Sequence, residues 1–322
     1  MHVTRDLVDR QLWAGSRRTR LTMRMFGRGS YEASARFSQR LLRPLIGRDV
    51  KGLDCSTVWI DRGDGTRLRV RVYRPRGQRT PLPGVLWLHG GGYSSGVPEL
   101  NGARFKELID HRPAVIVSPD YRRSVQAPYP AALDDCYTTL CWMKDAAEGQ
   151  RILPDGVITG GESAGGGLTA ALSLLARDRG EVAIDFQMPL YPMIDDRDTD
   201  SSRDNDAPVW DSTANRSAWR LYLGALAGEE NVPAYAAPAR AMDYRGLPPT
   251  FTFVGDLEPF HDETLAYVSR LEDAGVPVEF QVYRGAFHAF DGMAPKAEIS
   301  RSATARLLSA YARAVDARAA VA

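Results

Sequence analysis

Short apolar runs alternate with amphipathic stretches along most of this chain. Eight of the runs predict β-strands, because they are brief, apolar and bounded by turn-forming residues. They are residues 56–60, 68–73, 84–88, 114–118, 156–160, 186–191, 250–254 and 278–283. The turn residues 61–65, which read DRGDG, join the first two strands into a predicted antiparallel hairpin.

Amphipathic stretches between the later strands predict helices. After Pro130, apolar residues recur at i, i+3, i+4, i+7 and i+8, which is one face of a helix: Leu133, Cys136, Tyr137, Leu140 and Cys141. Further helices are predicted over 164–179, stopped by Gly180, and over 262–274, stopped by Gly275. Strands joined by such crossovers indicate one mostly parallel α/β sheet with helices on both faces.

The N-terminal stretch, residues 1 to about 48, has a different texture. It is rich in arginine, at Arg17, Arg18, Arg20, Arg24 and Arg28. Phe37, Leu41 and Leu45 recur at helical spacing. Such a basic amphipathic segment could rest on a membrane surface or form helices that cover the main body, and we favour the cover.

A second interruption falls at 195–219, where polar residues precede an aromatic group around Trp210 and Trp219. An insertion there would lie at the sheet edge where ligand-facing loops gather. Its acidic run resembles a calcium loop, but Ser201 replaces the glycine required at the sixth position and Ala207 the glutamate at the twelfth. No calcium site is predicted.

Charge and composition narrow the partners. The 322 residues carry Lys+Arg 41 against Asp+Glu 40, a net charge of +1, so no global field attracts nucleic acid or an anionic membrane. No apolar run approaches the roughly 20 residues that span a bilayer, and the start of the chain lacks the apolar core of a secretory signal. We expect a cytoplasmic protein that is not stably inserted in a membrane and acts on a small molecule.

Metals, cofactors and disulfides are not indicated. There is no His/Cys cluster typical of zinc, and no GxGxxG or GKS/T motif for a nucleotide. Three cysteines argue against a disulfide framework, and we interpret all three as small buried apolar residues. We therefore expect no metal and no cofactor.

The pentapeptide Gly161-Glu162-Ser163-Ala164-Gly165 is the strongest chemical signal. It follows the strand 156–160 and opens the helix 164–179, which is the setting of a nucleophilic serine on a tight strand-to-helix turn. Taken by itself, the pattern fits a glycine-rich turn with a solvated serine equally well. The remaining parts of a serine hydrolase must therefore be sought elsewhere in the chain.

A base and an acid would be needed to activate Ser163. Among five histidines, His261 and His288 are the candidates for the base. His288 is the better one, because it lies just beyond the last strand, at the sheet edge where the serine turn is expected. The acid is expected between serine and histidine, in the loop that follows strand 250–254. Asp262 is placed to cap the next helix, while spacing leaves both Asp256 and Glu258 open.

Stabilisation of the developing oxyanion requires backbone N–H donors. His89-Gly90-Gly91-Gly92 directly follows strand 84–88, and consecutive glycines let the backbone approach a ligand closely. The alternative is a merely flexible loop. Because this loop lies at the same end of the sheet as the serine turn, we favour an oxyanion hole.

From about residue 80 onwards, the motifs resemble those of the hormone-sensitive-lipase family of α/β hydrolases, also called bacterial family IV esterases. In order, they are HGGGY at 89–93, DYR at 120–122, PYPAALDD at 128–135, GESAGGG at 161–167, LYPMIDD at 190–196 and FHAF at 287–290. The resemblance implies an α/β-hydrolase fold and a serine esterase. It also implies Ser163 as nucleophile, His288 as base, and N–H groups of Gly91, Gly92 and Ala164 as the oxyanion hole.

The same resemblance bears on the acid. The family's DPLRDE-like motif falls on residues 258–263, which puts Glu258 in the acid's place, with Asp256 as the alternative. Glutamate stands there where aspartate is usual. Further departures are Glu162, where aspartate is common, and 123–126, which reads RSVQ where the family often reads LAPE.

The family likeness also implies a domain organisation. Residues 1–48 and an insertion around 196–230 would form a helical cap on a catalytic domain of residues 49–322. The expected activity is hydrolysis of carboxylic esters with short to medium acyl chains through an acyl-Ser163 intermediate. The alternatives are an amidase or deacetylase, a longer-chain lipase, or a non-catalytic small-molecule receptor, and a homodimer is left open.

Overall fold

Eight strands form one sheet in the computed structural model, which describes residues 1–13 and 30–321. The arginine-rich positions 17–28 lie outside the described residues. The strands are β1 (Leu53–Asp61), β2 (Arg67–Pro75), β3 (Gly84–Leu88), β4 (Val115–Pro119), β5 (Val157–Glu162), β6 (Ile184–Leu190), β7 (Thr250–Gly255) and β8 (Val278–Tyr283). Each corresponds to a predicted strand, so the apolar runs located all eight.

The strand order is β1-β2-β4-β3-β5-β6-β7-β8. β1 and β2 form the predicted antiparallel hairpin, β2 also pairs antiparallel with β4, and every remaining pair is parallel. β3, β4 and β7 are buried along their whole length, which explains their continuous apolar sequences. The mostly parallel α/β sheet is confirmed.

Helices precede the first strand, occupy most of the later connections and follow the last strand. In chain order they are α1 (Tyr31–Leu42), α2 (Gly102–His111), α3 (Ala131–Asp145), α4 (Ala147–Gln150), α5 (Ala164–Arg179), α6 (Asp200–Arg203), α7 (Ser212–Leu223), α8 (His261–Asp273), α9 (Phe290–Met293) and α10 (Glu298–Ala320). Short 3-10 turns lie at Arg43–Leu45, Pro98–Asn101, Gly224–Leu226 and Pro238–Arg240. The three helices expected from periodicity are α3, α5 and α8.

The cysteines differ from expectation. Cys136 is buried against the sheet, but Cys55 and Cys141 are only partly buried, and all three are free. The prediction of three buried cysteines is wrong for two of them. Cys141 lies at the margin of the face of α3 that carries Cys136, where it packs against the same apolar core but is only partly covered.

The first residues of the chain pack on the main body. Val3, Val8 and Leu12 are buried in the core, and the Asp9 N–H donates to the carbonyl of Gly285 at 3.0 Å. α1 begins after Ser30, whose hydroxyl accepts the N–H of Ala33 at 3.2 Å. This helix contacts α7 of the second insertion.

Phe37 and Leu41, two of the residues at helical spacing, lie on α1, and Leu45 lies in the 3-10 turn that follows it. Phe37 and Leu41 are 46% and 56% exposed, whereas Ala35 and most of Tyr31 lie inward. Their spacing therefore indicated the helix, and the structure shows which of its residues are buried. Within the described ranges, no helix is long and apolar enough to cross a membrane.

The acidic run of the second insertion is held by arginines. Asp196 pairs with Arg240, Asp198 with Arg216 and Asp200 with Arg203. Over residues 1–13 and 30–321, no group of three or more His, Cys, Asp or Glu side chains is arranged to hold a metal. These acids have a structural explanation in their ion pairs.

Candidate active site

Ser163 lies at the strained turn between β5 and α5. Its φ of 59° and ψ of −122° are unusual for a residue with a side chain, and they turn the backbone sharply into the helix. A Cβ at Gly161 would lie 2.5 Å from the carbonyl oxygen of Gly165, and one at Gly165 would lie 2.0 Å from that of Leu88. The two glycines are required because backbone passes on both sides of the turn. Ser163 is only 7% exposed, so the interpretation as a solvated turn is wrong.

Ser163, His288 and Glu258 form a continuous hydrogen-bonded line. The Nε2 atom of His288 lies 2.9 Å from the Oγ of Ser163, and its Nδ1 lies 2.5 Å from the Oε2 of Glu258. Glu258 is fully buried, and its Oε1 accepts the N–H of Gly255 at 2.9 Å. A buried carboxylate with both oxygens engaged fixes the Nδ1 side of the imidazole and leaves Nε2 for the serine.

The alternative acid occupies a different position. The Oδ1 of Asp256 accepts the N–H of Gly285 at 2.7 Å, which ties together the two loops that carry Glu258 and His288. The extra methylene of glutamate is thus absorbed by the loop, and the structure brings Glu258 rather than Asp256 to the histidine. The role of Glu258 as the catalytic acid stays a prediction.

Asp262 does not cap the helix that follows it. α8 begins at His261, and its N-cap residue Phe260 makes no side-chain cap. Instead the Oδ2 of Asp262 accepts the N–H of Ser201 at 2.8 Å, and its Oδ1 lies 2.8 Å from the Nδ1 of His261. The predicted capping role is wrong, because this carboxylate turns towards the second insertion.

The glycine loop presents free backbone donors. Gly91 and Gly92 have φ values of 125° and 57°, and a Cβ at Gly91 would lie 2.1 Å from the carbonyl oxygen of Ser95. Among the described residues, no acceptor is engaged by the N–H groups of Gly91, Gly92 or Ala164, the first residue of α5. Three unengaged donors beside the serine turn are what an oxyanion hole requires, and this assignment stays a prediction.

His89 lies buried at the start of this loop and is not available as a base. Its ring is fully buried and stacks on Tyr121 at a centroid distance of 4.1 Å, and its Nδ1 lies 2.9 Å from the carbonyl oxygen of Gly90. Burial lowers the pKa of His89 to about 4, with Asp120 opposing this shift and Arg123 adding to it. The ring therefore stays neutral at physiological pH.

We expect this neutral histidine to make the fold sensitive to acid. An unfolded histidine titrates near pH 6.5, so at pH 5 the unfolded chain binds a proton that folded His89 does not. The free energy of unfolding should then fall by about 2 kcal/mol between pH 7 and pH 5 on account of His89. Urea unfolding of wild type and His89→Gln at both pH values measures it, and an equal pH-dependence in the two proteins would contradict it.

Glu162, the departure beside the nucleophile, faces the interior. Its Oε2 accepts the indole N–H of Trp87 at 2.8 Å, and its Oε1 accepts the side-chain amide of Asn101. Burial raises the pKa of this carboxyl. The longer side chain reaches donors on β3 and at the start of α2, so it supports the serine turn from behind.

The second departure, 123–126, is also structural. The Nη1 of Arg123 lies 2.6 Å from the Oδ1 of Asp120 and donates to the carbonyl of Gly96 at 3.3 Å. Arg123 is 9% exposed. This arginine ties the end of β4 to the glycine loop.

Sequence reasoning missed the aromatic rings that surround the imidazole. Tyr191 and Phe260 meet the His288 ring edge-on at centroid distances of 5.1 and 4.9 Å, and Trp210 lies at 6.4 Å. The tryptophan was visible as part of an aromatic group in an insertion. Its partner in space could not be deduced from its position in the chain.

Comparison with known proteins shows the family of the chain. The Abhydrolase_3 family profile, described as alpha/beta hydrolase fold, matches residues 85–292, more than half of the chain. The chain belongs to the α/β-hydrolase family.

Individual relatives of this α/β hydrolase are esterases. It is 33% identical to carboxylesterase NlhH of Mycobacterium tuberculosis over 78% of its own length and 80% of that protein. It is also 33% identical to esterase LipI of the same species, over 77% and 78% of the two chains. The solved structure of a bacterial heroin esterase superposes with a TM-score of 0.86 at 31% identity, covering 97% of this chain and 99% of that one. The expected family, fold and enzyme class, a carboxylic ester hydrolase, are confirmed.

Proposed function

We propose that this α/β hydrolase is a serine carboxylesterase with Ser163 as nucleophile, His288 as general base and acid, and Glu258 as the acid of the triad. The observation that carries the proposal is the buried line from Ser163 Oγ through His288 to Glu258, with contacts of 2.9 and 2.5 Å. A nucleophile, a base and an orienting carboxylate within hydrogen-bond distance are the geometric requirement for acyl transfer.

The reaction follows from these contacts. His288 Nε2 takes the proton from Ser163 Oγ as the oxygen attacks the ester carbonyl carbon. The N–H groups of Gly91, Gly92 and Ala164 donate hydrogen bonds to the developing oxyanion. The imidazolium then gives its proton to the departing alkoxide, which leaves acyl-Ser163. Water repeats the cycle, releasing the carboxylic acid and restoring the serine.

Glu258 orients the base in this scheme. Its carboxylate accepts the Nδ1–H of His288, so that Nε2 carries the lone pair that faces Ser163. It also stabilises the imidazolium that forms transiently. The cycle is complete with protein groups and water, so we propose that no metal and no cofactor takes part.

The remaining expectations are part of the same proposal. We assign residues 1–48 and 196–230 to a cap that excludes water from acyl-Ser163, a role supported by the contact between α1 and α7. Two expectations stay predictions: a cytoplasmic location, and the absence of stable membrane insertion or nucleic-acid binding. A homodimer is left open. Cell fractionation and light scattering of the purified protein test location and oligomeric state.

We expect a preference for short to medium acyl chains, since Ser163 and His288 are only 7% and 3% exposed and aromatic rings surround the imidazole. The p-nitrophenyl esters of acetate, butyrate, octanoate and palmitate, with the matching p-nitroanilides, test it by kcat/KM. The acetate and butyrate should exceed the palmitate and every anilide by about 100-fold or more. A preference for palmitate would indicate a lipase, and turnover of anilides comparable to esters would indicate an amidase.

A fluorophosphonate probe separates an enzyme from a receptor on the same fold. We expect a covalent adduct on Ser163 in the wild type, because His288 activates the hydroxyl, and no adduct in Ser163→Ala. Saturable binding of an ester without any adduct would contradict the proposed function and favour a non-catalytic receptor.

A further inference from the structure

The indole of Trp210 lies directly against the glycine loop. A Cβ placed on Gly92 would come within 2.4 Å of Trp210 Cη2 and 2.6 Å of the Tyr31 hydroxyl, so these two side chains fill the space on that side of the loop. The rings meet edge-on, at 6.3 Å between centroids and an angle of 83°. Tyr31 belongs to the first cap segment and Trp210 to the second, so the two segments converge over Gly92.

Trp210 also extends towards the histidine. Its ring centroid lies 6.4 Å from the imidazole of His288 and 6.4 Å from Phe260. The same ring therefore spans the distance from the glycine loop to the base. Its indole nitrogen donates to Asn215 Oδ1 of α7 at 3.3 Å, which fixes the orientation of the ring.

A strained turn holds the indole in this position. Val209 has a φ of 74°, and the Trp210 N–H donates to the carbonyl of Pro208 at 2.9 Å. This is the γ-turn with positive φ, which is rare, and a β-branched residue is especially disfavoured there. Such strain persists only where the surroundings enforce it.

The surroundings of this turn are tied at both ends. The backbone N–H of Ser212 donates to the carbonyl of Asn205 at 2.9 Å. The side-chain amide of Asn205 donates to the carbonyl of Leu257 at 3.1 Å. Asn205 is 3% exposed. The loop that presents Trp210 is therefore closed on itself and anchored to the residue before Glu258.

The position of the indole indicates which part of an ester it faces. The tetrahedral carbon bound to Ser163 Oγ has three further substituents: the oxyanion at Gly91 and Gly92, the alkoxide at His288 Nε2, and the acyl chain. Trp210 lies beside the first two positions. A bulky group on the alkoxide would therefore meet the indole, whereas the acyl chain leaves in the third direction.

We propose that Trp210 is a specificity-determining residue that limits the alcohol portion of the substrate to linear or flat groups and excludes saturated rings. This inference rests on the proposed esterase function and adds a substrate class to it. The rings that face the alcohol are uncharged, and burial raises the pKa of Tyr31 to about 12, so the site suits neutral alcohols. Tyr31 of α1 meets the indole edge-on.

Trp210→Ala tests the inference with two pairs of esters followed by acid release. The first pair, ethyl and cyclohexyl acetate, varies the alcohol, and the second, ethyl acetate and ethyl octanoate, varies the acyl chain. We expect the kcat/KM ratio of cyclohexyl to ethyl acetate to rise about tenfold or more, and that of ethyl octanoate to ethyl acetate to change by less than about threefold. Val209→Gly, which releases the turn but keeps the indole, should raise the first ratio by a smaller factor.

Trp59→Ala is the matched control, because Trp59 is half exposed on β1 and its removal should leave both ratios unchanged. If Trp210→Ala does not fold, Trp210→Phe and Val209→Gly carry the test. An unchanged cyclohexyl ratio in the folded variants overturns the inference, and so does a larger rise for ethyl octanoate, which would place the indole on the acyl side. If the wild type neither hydrolyses any of the esters nor reacts with the fluorophosphonate probe, the proposed function is wrong.

Discussion

Replacing Ser163 by alanine should reduce kcat for p-nitrophenyl butyrate by about 10⁴-fold or more, down to the residual rate supplied by binding and the oxyanion donors. The reason is that, within residues 1–13 and 30–321, Ser163 Oγ is the only hydroxyl within hydrogen-bond distance of His288 Nε2, at 2.9 Å. The substitution also removes the hydrogen bond between Ser163 Oγ and His288 Nε2. Initial rates at saturating ester, with protein concentration set by absorbance, measure the loss.

Ser173→Ala provides the control for this substitution. Ser173 lies on α5, the helix that follows Ser163, is 1% exposed and donates to the carbonyl of Thr169 at 2.9 Å, so its removal costs a buried hydrogen bond without touching the site. We expect Ser173→Ala to keep wild-type kcat. If Ser163→Ala retains wild-type turnover, the assignment of the nucleophile is wrong.

Replacing Glu258 by glutamine should lower kcat by about 10³- to 10⁴-fold with little change in overall fold. The glutamine amide can donate a hydrogen bond towards His288 Nδ1, which favours the tautomer whose Nε2 carries the proton and cannot accept one from Ser163. Glu258→Asp should recover part of the rate, because the charge is kept while the carboxylate is one methylene short of its 2.5 Å contact. The pH profile of kcat for the three proteins separates loss of the base from loss of stability.

Asp256→Asn distinguishes the two candidate acids. Asp256 lies two residues before Glu258 and accepts the N–H of Gly285, so asparagine can keep that hydrogen bond through its carbonyl oxygen. We expect kcat within about threefold of wild type. A loss as large as that of Glu258→Gln would transfer the acid's role to Asp256.

The sheet was predictable because buried parallel strands are encoded locally. The sequences of β3, β4 and β7 are short apolar runs, and each strand was located to within a few residues. The turn at Ser163 was predictable for a similar reason, since only glycine fits where a Cβ would lie 2.0 to 2.5 Å from backbone carbonyl oxygens. Close approach of two backbone segments requires glycine, and glycine can be recognised in the sequence.

Tertiary structure decided which carboxylate reaches the histidine, because Glu258 and His288 are 30 residues apart, and His288 and Ser163 are 125 apart. Spacing in one loop allowed Asp256 and Glu258 equally, and only the packing of that loop against Gly285 turned one inward. The same holds for Asp262, which left its predicted capping role for a contact with Ser201, 61 residues away.

The sequence by itself determined the strands, the strained serine turn, the glycine loop and the family to which they belong, since each depends on neighbouring residues or on a fixed motif. The packing of α1 and of the insertion that carries Trp210 was decided by the folded chain. Tyr31 and Trp210 meet over Gly92 although they are far apart in sequence, and neither lies in a motif. Side chains that shape a site from different segments depend on how those segments pack, and no local pattern records that packing.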